Sequence, residues 1–362
     1  MRAWLALALA ACGSDPGPIV ESHLLIDGTD QTNTDCRTGM CVHDENTDLT
    51  IFGGATFMVH RTAESQVLGP NSSLRVYRSD DHGATWGEPV VIPAPSDRDL
   101  RDPSFYVDAA GNLSMKAITR LPVASTRDSD VDSITVRTSS PDGGVTWSDL
   151  TPIGPETWSF WRIKADLDGT LYSAAYEDGD KSVKLFSSTD GVTWTSGAMI
   201  YDVSEDTPLE TELMFDAQGV TAYVRMDGTD DELLGSQGRL RTKVCTSTAP
   251  YTSFDCSGEL TGARLDGPIG FDYNGRRYMV ARKHFLEVEN RKRTALYQLD
   301  GLLWTELGEF PSTGDTSYAG VVPIDAHGKF LVTYYSSPIN VDGPWARAMF
   351  GPTDIWQATI QL

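Results

Sequence analysis

Short apolar runs alternate with polar residues along this chain, and most of them break at a glycine, aspartate or asparagine. Phe105-Tyr-Val-Asp108 passes through Gly111 into Leu113-Ser-Met-Lys-Ala-Ile118, and Val321-Val-Pro-Ile-Asp325 passes through Gly328 into Phe330-Leu-Val-Thr-Tyr-Tyr335. A period of two predicts strands with one buried face. Asp and Asn bond their own backbone at such turns, and Gly takes the positive φ they need. Six of these hairpins turn at Gly54, Gly111, Gly169, Gly219, Gly275 and Gly328, 50 to 58 residues apart. Further strands are predicted at 73–78, 133–137, 183–186 and 294–298. No stretch longer than about two turns reads as an amphipathic helix. About four strands per repeat is the content of a propeller blade. The expected fold is therefore all-β, a six-bladed β-propeller whose first strands line a common axis.

A repeat architecture accommodates 362 residues, 40% of them apolar, in one domain. The net charge of -22 argues against nucleic acid as a partner, because phosphate backbones are held by basic surfaces. Met1-Arg2 followed by the apolar run Ala3 to Ala11 is too short to span a bilayer and reads as a signal peptide. It ends in Leu9-Ala-Ala-Cys12, which resembles the bacterial lipobox. That resemblance implies cleavage before Cys12 and a lipid on its thiol. Gly13 in place of Asp implies the outer membrane of a Gram-negative cell. The expected organisation is a signal peptide over 1–11, a lipidated Cys12 with a flexible tether over 12–22, and the propeller over 23–362, acting as a monomer. Cys36 with Cys41, and Cys245 with Cys256, are close enough in sequence to form local disulfides in an exported chain. A zinc site using Cys36, Cys41 and His43 is the rival reading, without a second pair at matching spacing. No cofactor motif and no metal spacing stands out.

Three segments end in tryptophan after a tight turn: Ser79-Asp-Asp-His-Gly-Ala-Thr-Trp86, Ser140-Pro-Asp-Gly-Gly-Val-Thr-Trp147 and the shorter Ser188-Thr-Asp-Gly-Val-Thr-Trp194; Asp300 to Trp304 is a degenerate fourth. They resemble the Asp-boxes (BNR repeats) of the sialidase superfamily. Their aspartates recur on several blades, so they belong to the scaffold: carboxylate oxygens accept backbone N–H groups across the turn, and Trp packs beneath it.

The first strands of the repeats open with Asp48, Arg101-Asp102, Trp161-Arg162, Leu209-Glu210, Gly267-Pro268 and Thr316-Ser-Tyr318. Five of these six openings carry an ionisable group. Arg61, Arg120, Glu177, Arg225 and Arg282 mark the ends of second strands. Side chains at these positions converge on the propeller axis. Arginines and carboxylates gathered there suit an enzyme acting on polar sugars, since carboxylates serve as acid, base or nucleophile and arginines grip oxygens. The same set could instead form an ion-pair network bracing the axis.

Compared with the sialidase pattern, Glu210 before the turn at Gly219 and Arg225 after it match the family's glutamate and one arginine. Arg282 matches a later arginine, and Tyr318 before the turn at Gly328 matches the catalytic tyrosine. The resemblance implies that Tyr318 is the nucleophile and Glu210 the base that takes its proton, which a phenol of pKa about 10 requires. Two departures stand out. Thr47-Asp48-Leu49 occupies the place of the family's Arg-Ile-Pro, and Ser73-Leu-Arg75 occupies the stretch that carries its acid. Asp48 or Asp102 is left to supply the acid, with Arg61, Arg101, Arg162, Arg225 and Arg282 binding substrate. The expected function is a sialidase-like exo-glycoside hydrolase with a carbohydrate substrate. The alternatives are a non-catalytic glycan-binding or assembly propeller, and a neutral-sugar glycosidase using Glu210 with Asp48 or Asp102.

Overall fold

The computed structural model describes residues 17–67, 69–96, 98–121, 133–177, 181–202, 207–227, 240–285 and 291–362; the expected signal peptide and Cys12 lie outside them. Among the described residues, 24 strands form six four-stranded antiparallel sheets, with a single four-residue α-helix, Trp345–Ala348. Blade one runs outward in chain order through His43–Phe52, Ala55–Ala63, Ser73–Ser79 and Val90–Pro93. The first strands of the next five blades are Asp99–Val107, Ser159–Ala165, Thr207–Asp216, Asp266–Tyr273 and Thr316–Pro323. Each first strand packs beside the next, and that of blade six packs beside that of blade one, so the ring closes. Five of the six turn glycines fall between the first and second strands of a blade, and Gly219 opens the second strand of its own.

Blade six is assembled from both ends of the chain. Its strands from the axis outward are Thr316–Pro323, Lys329–Ser336, Asp354–Gln361 and Ile19–Ile26. This corrects the expected tether over 12–22. Residues from Ile19 onward pair antiparallel with the last strand, Ile19 opposite Ile360 and Leu24 opposite Trp356. Ile19-Val-Glu-Ser-His-Leu-Leu-Ile26 does not alternate, so beside Pro16-Gly-Pro18 it carries no clear strand signal.

Apolar side chains gather in six buried clusters, one at each interface between blades. Phe57, Val59 and Leu74 of blade one meet Leu113 and Met115 of blade two, and Ile269 and Val280 of blade five meet Phe330 and Val332 of blade six. At about 1.5–3 kcal/mol for each fully buried large apolar side chain, the interface rather than the single blade is the stabilising unit. The tryptophan-ending hairpins reinforce it. In the first, Asp81 accepts bonds from the Thr85 N–H at 2.8 Å and from the Thr85 and Ser79 hydroxyls at 2.6 and 2.7 Å. Led by the Thr85 hydroxyl, these bonds hold its pKa down at about 2. Gly83 has φ +86, and a Cβ there would lie 2.6 Å from Leu331 of blade six. Trp86 Nε1 donates to Gln357 of the same blade at 2.9 Å. Gly144 in the second hairpin meets Phe57 of blade one equally closely. Each of these two hairpins therefore leans on the preceding blade, and its aspartate serves the turn.

Two disulfides, Cys36–Cys41 and Cys245–Cys256, match the expected local pairs, and their sulfurs are therefore not zinc ligands.

Candidate active site

A repeated irregularity builds the site. In all six blades the first strand carries one extra residue against the second. The register slips between Glu45 and Asp48, Arg101 and Ser104, Phe160 and Ile163, Pro208 and Thr211, Asp266 and Ile269, and Ser317 and Gly320. A bulge of this kind bends a strand and re-aims its side chains. The inserted positions coincide with most of the openings singled out in the sequence. Four of their first residues lie in left-handed backbone: Asn46 (φ 55), Asp102 (φ 51), Gly267 (φ 54) and Tyr318 (φ 48). Three of the four are not glycine, a conformation that costs energy and marks functional positions.

At one mouth of the axis the bulges of blades one, two, four and six border a cavity of about 340 Å³. Tyr318 and Glu210 reach it from opposite sides of blade five. The Tyr318 hydroxyl donates to Glu210 Oε1 at 2.6 Å, and Arg225 Nη1 donates to Glu210 Oε2 at 2.5 Å and to the Tyr318 oxygen at 3.1 Å. The Arg282 guanidinium lies 5.0 Å from the centre of the Tyr318 ring. It is held by the Thr316 carbonyl, Asp315 and the Tyr335 hydroxyl at 2.8, 3.1 and 2.9 Å. Arg225 is fixed from behind by Asp227 and Asp266, at 2.7 and 3.2 Å from its Nε. Gly267 is the one opening without an ionisable group, and the reason is steric: a Cβ there would lie 2.7 Å from the Tyr318 ring.

All four groups are buried. Burial, followed by the charge of Glu210, raises the Tyr318 phenol well above its usual range, against Arg225 and Arg282. Burial also raises Glu210, with Arg225 opposing. Burial disfavours the charge on Arg225, but Asp227, Asp266 and Glu210 outweigh it and keep the guanidinium protonated. The resting pair is thus a neutral phenol bonded to a carboxylate whose basicity exceeds that of an ordinary glutamate.

Asp102 borders the same cavity and is half-buried. Its carboxylate accepts from Asn46 Nδ2, and its backbone carbonyl accepts from Lys116 Nζ at 2.6 Å. Arg101 and Arg120 border it too. Arg101 pairs with Asp99 and donates to the Gln66 carbonyl. Arg61 stands behind this wall, paired with Glu45 at 2.5 Å and Asp99 at 2.8 Å. Burial works against the charge of Asp99, yet Arg101 and Arg61 hold its carboxyl far below the ordinary range.

Asp48 and Arg162 are brought together, but away from the cavity lining. Arg162 donates to Asp48 Oδ1 and to the Ala319 carbonyl, and Asp48 Oδ2 accepts the Phe105 N–H at 2.7 Å. One pair thereby ties blades one, two, three and six across the axis. Both Asp48 oxygens are engaged, and of the two expected acids only Asp102 borders the cavity that Tyr318 lines. Arg75, in the stretch where the sialidase pattern carries its acid, turns instead to the carbonyls of Cys36 and Gly39 at 3.0 and 2.6 Å.

Several residues of the site went unread in the sequence. Glu45, Asp99, Asp266 and Asp315 are the counter-ions of Arg61, Arg101, Arg225 and Arg282. Each stands one or three residues before the first bulge residue, a parity that aligning the openings would have exposed. Trp345, from the short helix, roofs Arg282 at 5.9 Å and donates to Asp315 at 3.0 Å. It lies in an insertion between blade-six strands that no repeat signal could mark.

The fold is that of the sialidase propellers. No family model matches the chain, and no curated protein matches it. Among solved structures, a Dyadobacter fermentans protein of unknown function superposes with a TM-score of 0.71 at 17% identity, over 95% of this chain and 98% of that one. The Hadza microbial sialidase Hz136 gives 0.62 at 17% identity over 88% of this chain. Trypanosoma rangeli sialidase bound to the inhibitor DANA gives 0.64 at 13% identity over 88%. The chain spans 66% and 55% of the lengths of these two sialidases. The likeness to them is one of fold: a sialidase-like six-bladed propeller.

Proposed function

We propose that this propeller is an exo-acting, retaining glycoside hydrolase in which Tyr318 is the nucleophile, Glu210 its base and Asp102 the acid. The observation that carries the reading is the 2.6 Å bond from the buried Tyr318 hydroxyl to Glu210, with Arg225 on both partners. A phenol whose pKa is raised by burial does not ionise in advance. It loses its proton to Glu210 as its oxygen bonds to the anomeric carbon, whose developing positive charge favours the phenolate. Asp102 protonates the departing oxygen as the glycosidic bond breaks. Water then attacks the same carbon with Asp102 as base, the bond from that carbon to the Tyr318 oxygen breaks, and the phenolate recovers its proton from Glu210. Arg225 and Arg282 position the sugar and steady the phenolate.

Charge balance bears on the sugar. Most of the cavity's arginines are already matched by carboxylates: Asp99 pairs with Arg101, Asp227 and Asp266 with Arg225, and Asp315 with Arg282. The first blade offers Asn46 and Thr47 near the position where the sialidase pattern has an arginine. An anionic sugar gains no net attraction here, so an uncharged terminal sugar is the better fit. Export as an outer-membrane lipoprotein through Cys12 belongs to the same proposal, supported by the Leu9-to-Cys12 segment and by two disulfides suited to an oxidising compartment.

The test is a panel of neutral aryl glycosides beside an aryl sialoside, with wild type and Tyr318→Phe. Expected is turnover of a neutral glycoside with retention, lowered at least about 10³-fold in the variant. Turnover undiminished in Tyr318→Phe sinks the nucleophile assignment, and turnover of the sialoside alone overturns the choice of sugar.

A further inference from the structure

Blade one opens on His43, whose ring is fully buried. Its Nδ1 lies 2.8 Å from the carbonyl oxygen of Gly351. A carbonyl only accepts, so Nδ1 carries the proton. On a neutral ring Nε2 is then a lone pair, and it faces Glu45 Oε2 at 3.4 Å and Asp315 Oδ2 at 3.6 Å. Three electron-rich groups thus converge, their ligand atoms all within 4.8 Å of one another. Asp315 Oδ2 is buried and has no hydrogen-bond partner among the described residues. Arg61 and Arg282 each answer one oxygen of these carboxylates, and a positive species between the three remaining atoms would satisfy them as well.

We propose that His43 Nε2, Glu45 Oε2 and Asp315 Oδ2 bind a divalent transition-metal ion of the zinc class. A proton on Nε2 is the competing occupant, but charge-assisted N–H···O bonds close to about 2.7–2.9 Å, and neither gap here does. Bonds of about 2.0–2.2 Å to a tetrahedral zinc place neighbouring ligand atoms about 3.3–3.6 Å apart, the spacing of His43 Nε2 from each carboxylate oxygen. One imidazole among the donors favours zinc over calcium or magnesium, which prefer oxygen ligands alone. The partners behind the ligands suit the role. Gly351 fixes the ring, Arg61 holds Glu45 Oε1 at 2.5 Å, and Arg282, Tyr335 and Trp345 hold Asp315 Oδ1 at 2.9–3.1 Å. Each carboxylate therefore keeps its second oxygen for the ion, as outer partners of metal ligands commonly arrange. The ion would clamp blade one to blade six directly beneath Arg282.

The site stands whether or not the chain is a hydrolase, and its test reads metal rather than turnover. The full chain, stripped with a chelator and dialysed, is titrated with zinc chloride alone, with elemental mass spectrometry of the washed protein. Expected is roughly one zinc per chain, with affinity lowered at least about tenfold in Asp315→Asn and in His43→Ala. If those variants fail to fold, X-ray absorption of zinc-loaded wild type decides, with one imidazole and otherwise oxygen neighbours expected. Absence of saturable zinc binding by folded wild type overturns the proposal and leaves a proton on Nε2. Equal binding by wild type and variants, or sulfur neighbours in the absorption spectrum, overturns it as well.

Discussion

Gly267→Ala tests the site without altering a polar group. A Cβ at this position would sit 2.7, 2.8 and 2.9 Å from Cδ2, Cγ and Cε2 of Tyr318. Carbon atoms in contact prefer about 3.5–4.0 Å, so the ring must retreat by roughly 0.7–1 Å. Alanine at φ +54 adds backbone strain of about 1–2 kcal/mol, and the overlap adds about 1–3 kcal/mol, a total loss of roughly 2–5 kcal/mol. Moving the phenol by that distance stretches its 2.6 Å bond to Glu210 beyond hydrogen-bond range. Misplacement of a reacting group by about 1 Å is worth roughly 10²-fold in rate. The assay pairs kcat/KM on an aryl glycoside that wild type cleaves with urea unfolding of the same preparation. Gly54→Ala is the control: it has φ +85 at an open turn with nothing within 4 Å, so it should show the strain and retain the activity. Wild-type kcat/KM in Gly267→Ala would refute the reasoning that glycine is kept there to seat Tyr318.

Asp102→Asn should slow substrates with poor leaving groups by about 10²–10⁴-fold, while aryl glycosides with activated leaving groups suffer far less; equal losses on both would remove Asp102 as the acid. Lys116 is buried, which lowers its pKa from 10.5 to about 7. A depressed lysine pKa gives stability that is complete above the unfolded value and lost as pH falls through the folded one. Lys116→Met should therefore gain on wild type as pH drops from about 10 towards 7, and parallel unfolding curves across that range would contradict this. Asp142→Ala removes the acceptor for the Thr146 N–H and hydroxyl at 2.9 and 2.6 Å and should lower the unfolding midpoint with kcat/KM unchanged, so a selective loss of activity would mean its hairpin is more than scaffold.

The architecture was readable because it repeats. Six glycine turns at near-equal spacing are a long-range signal made of local events, and each falls where the sheet needs it. Glu210, Tyr318, Arg225 and Arg282 could be named because they stand at fixed offsets from those turns. Asp48 shows the limit of that ruler. It sits two residues beyond the first bulge residue, Asn46, and one extra residue in a strand of period two sends a side chain to another surface. The bulge itself has no composition of its own: Asn46, Asp102, Trp161, Leu209, Gly267 and Tyr318 share a backbone position and little chemistry. Counter-ions such as Asp266 and Asp315 were hidden for the converse reason, since an acidic residue beside a strand start is ordinary in a chain of charge -22. The tether reading of 12–22 overlaps the start of the strand Ile19–Ile26, whose partner is more than 300 residues away.

The pairing of Ile19–Ile26 with Asp354–Gln361 also orders events in time. Five blades can complete themselves as they are synthesised, but the sixth must wait for the last strand before the earliest one has anything to join. Tyr318 belongs to that late blade, while Glu210 and Arg225 belong to a blade already finished. The bond between Tyr318 and Glu210 is therefore the final thing the ring assembles. A chain clipped before Asp354–Gln361, however well formed its other blades, would leave Tyr318 on an unfinished blade, and under the proposed reaction turnover would report that the first and last strands have met.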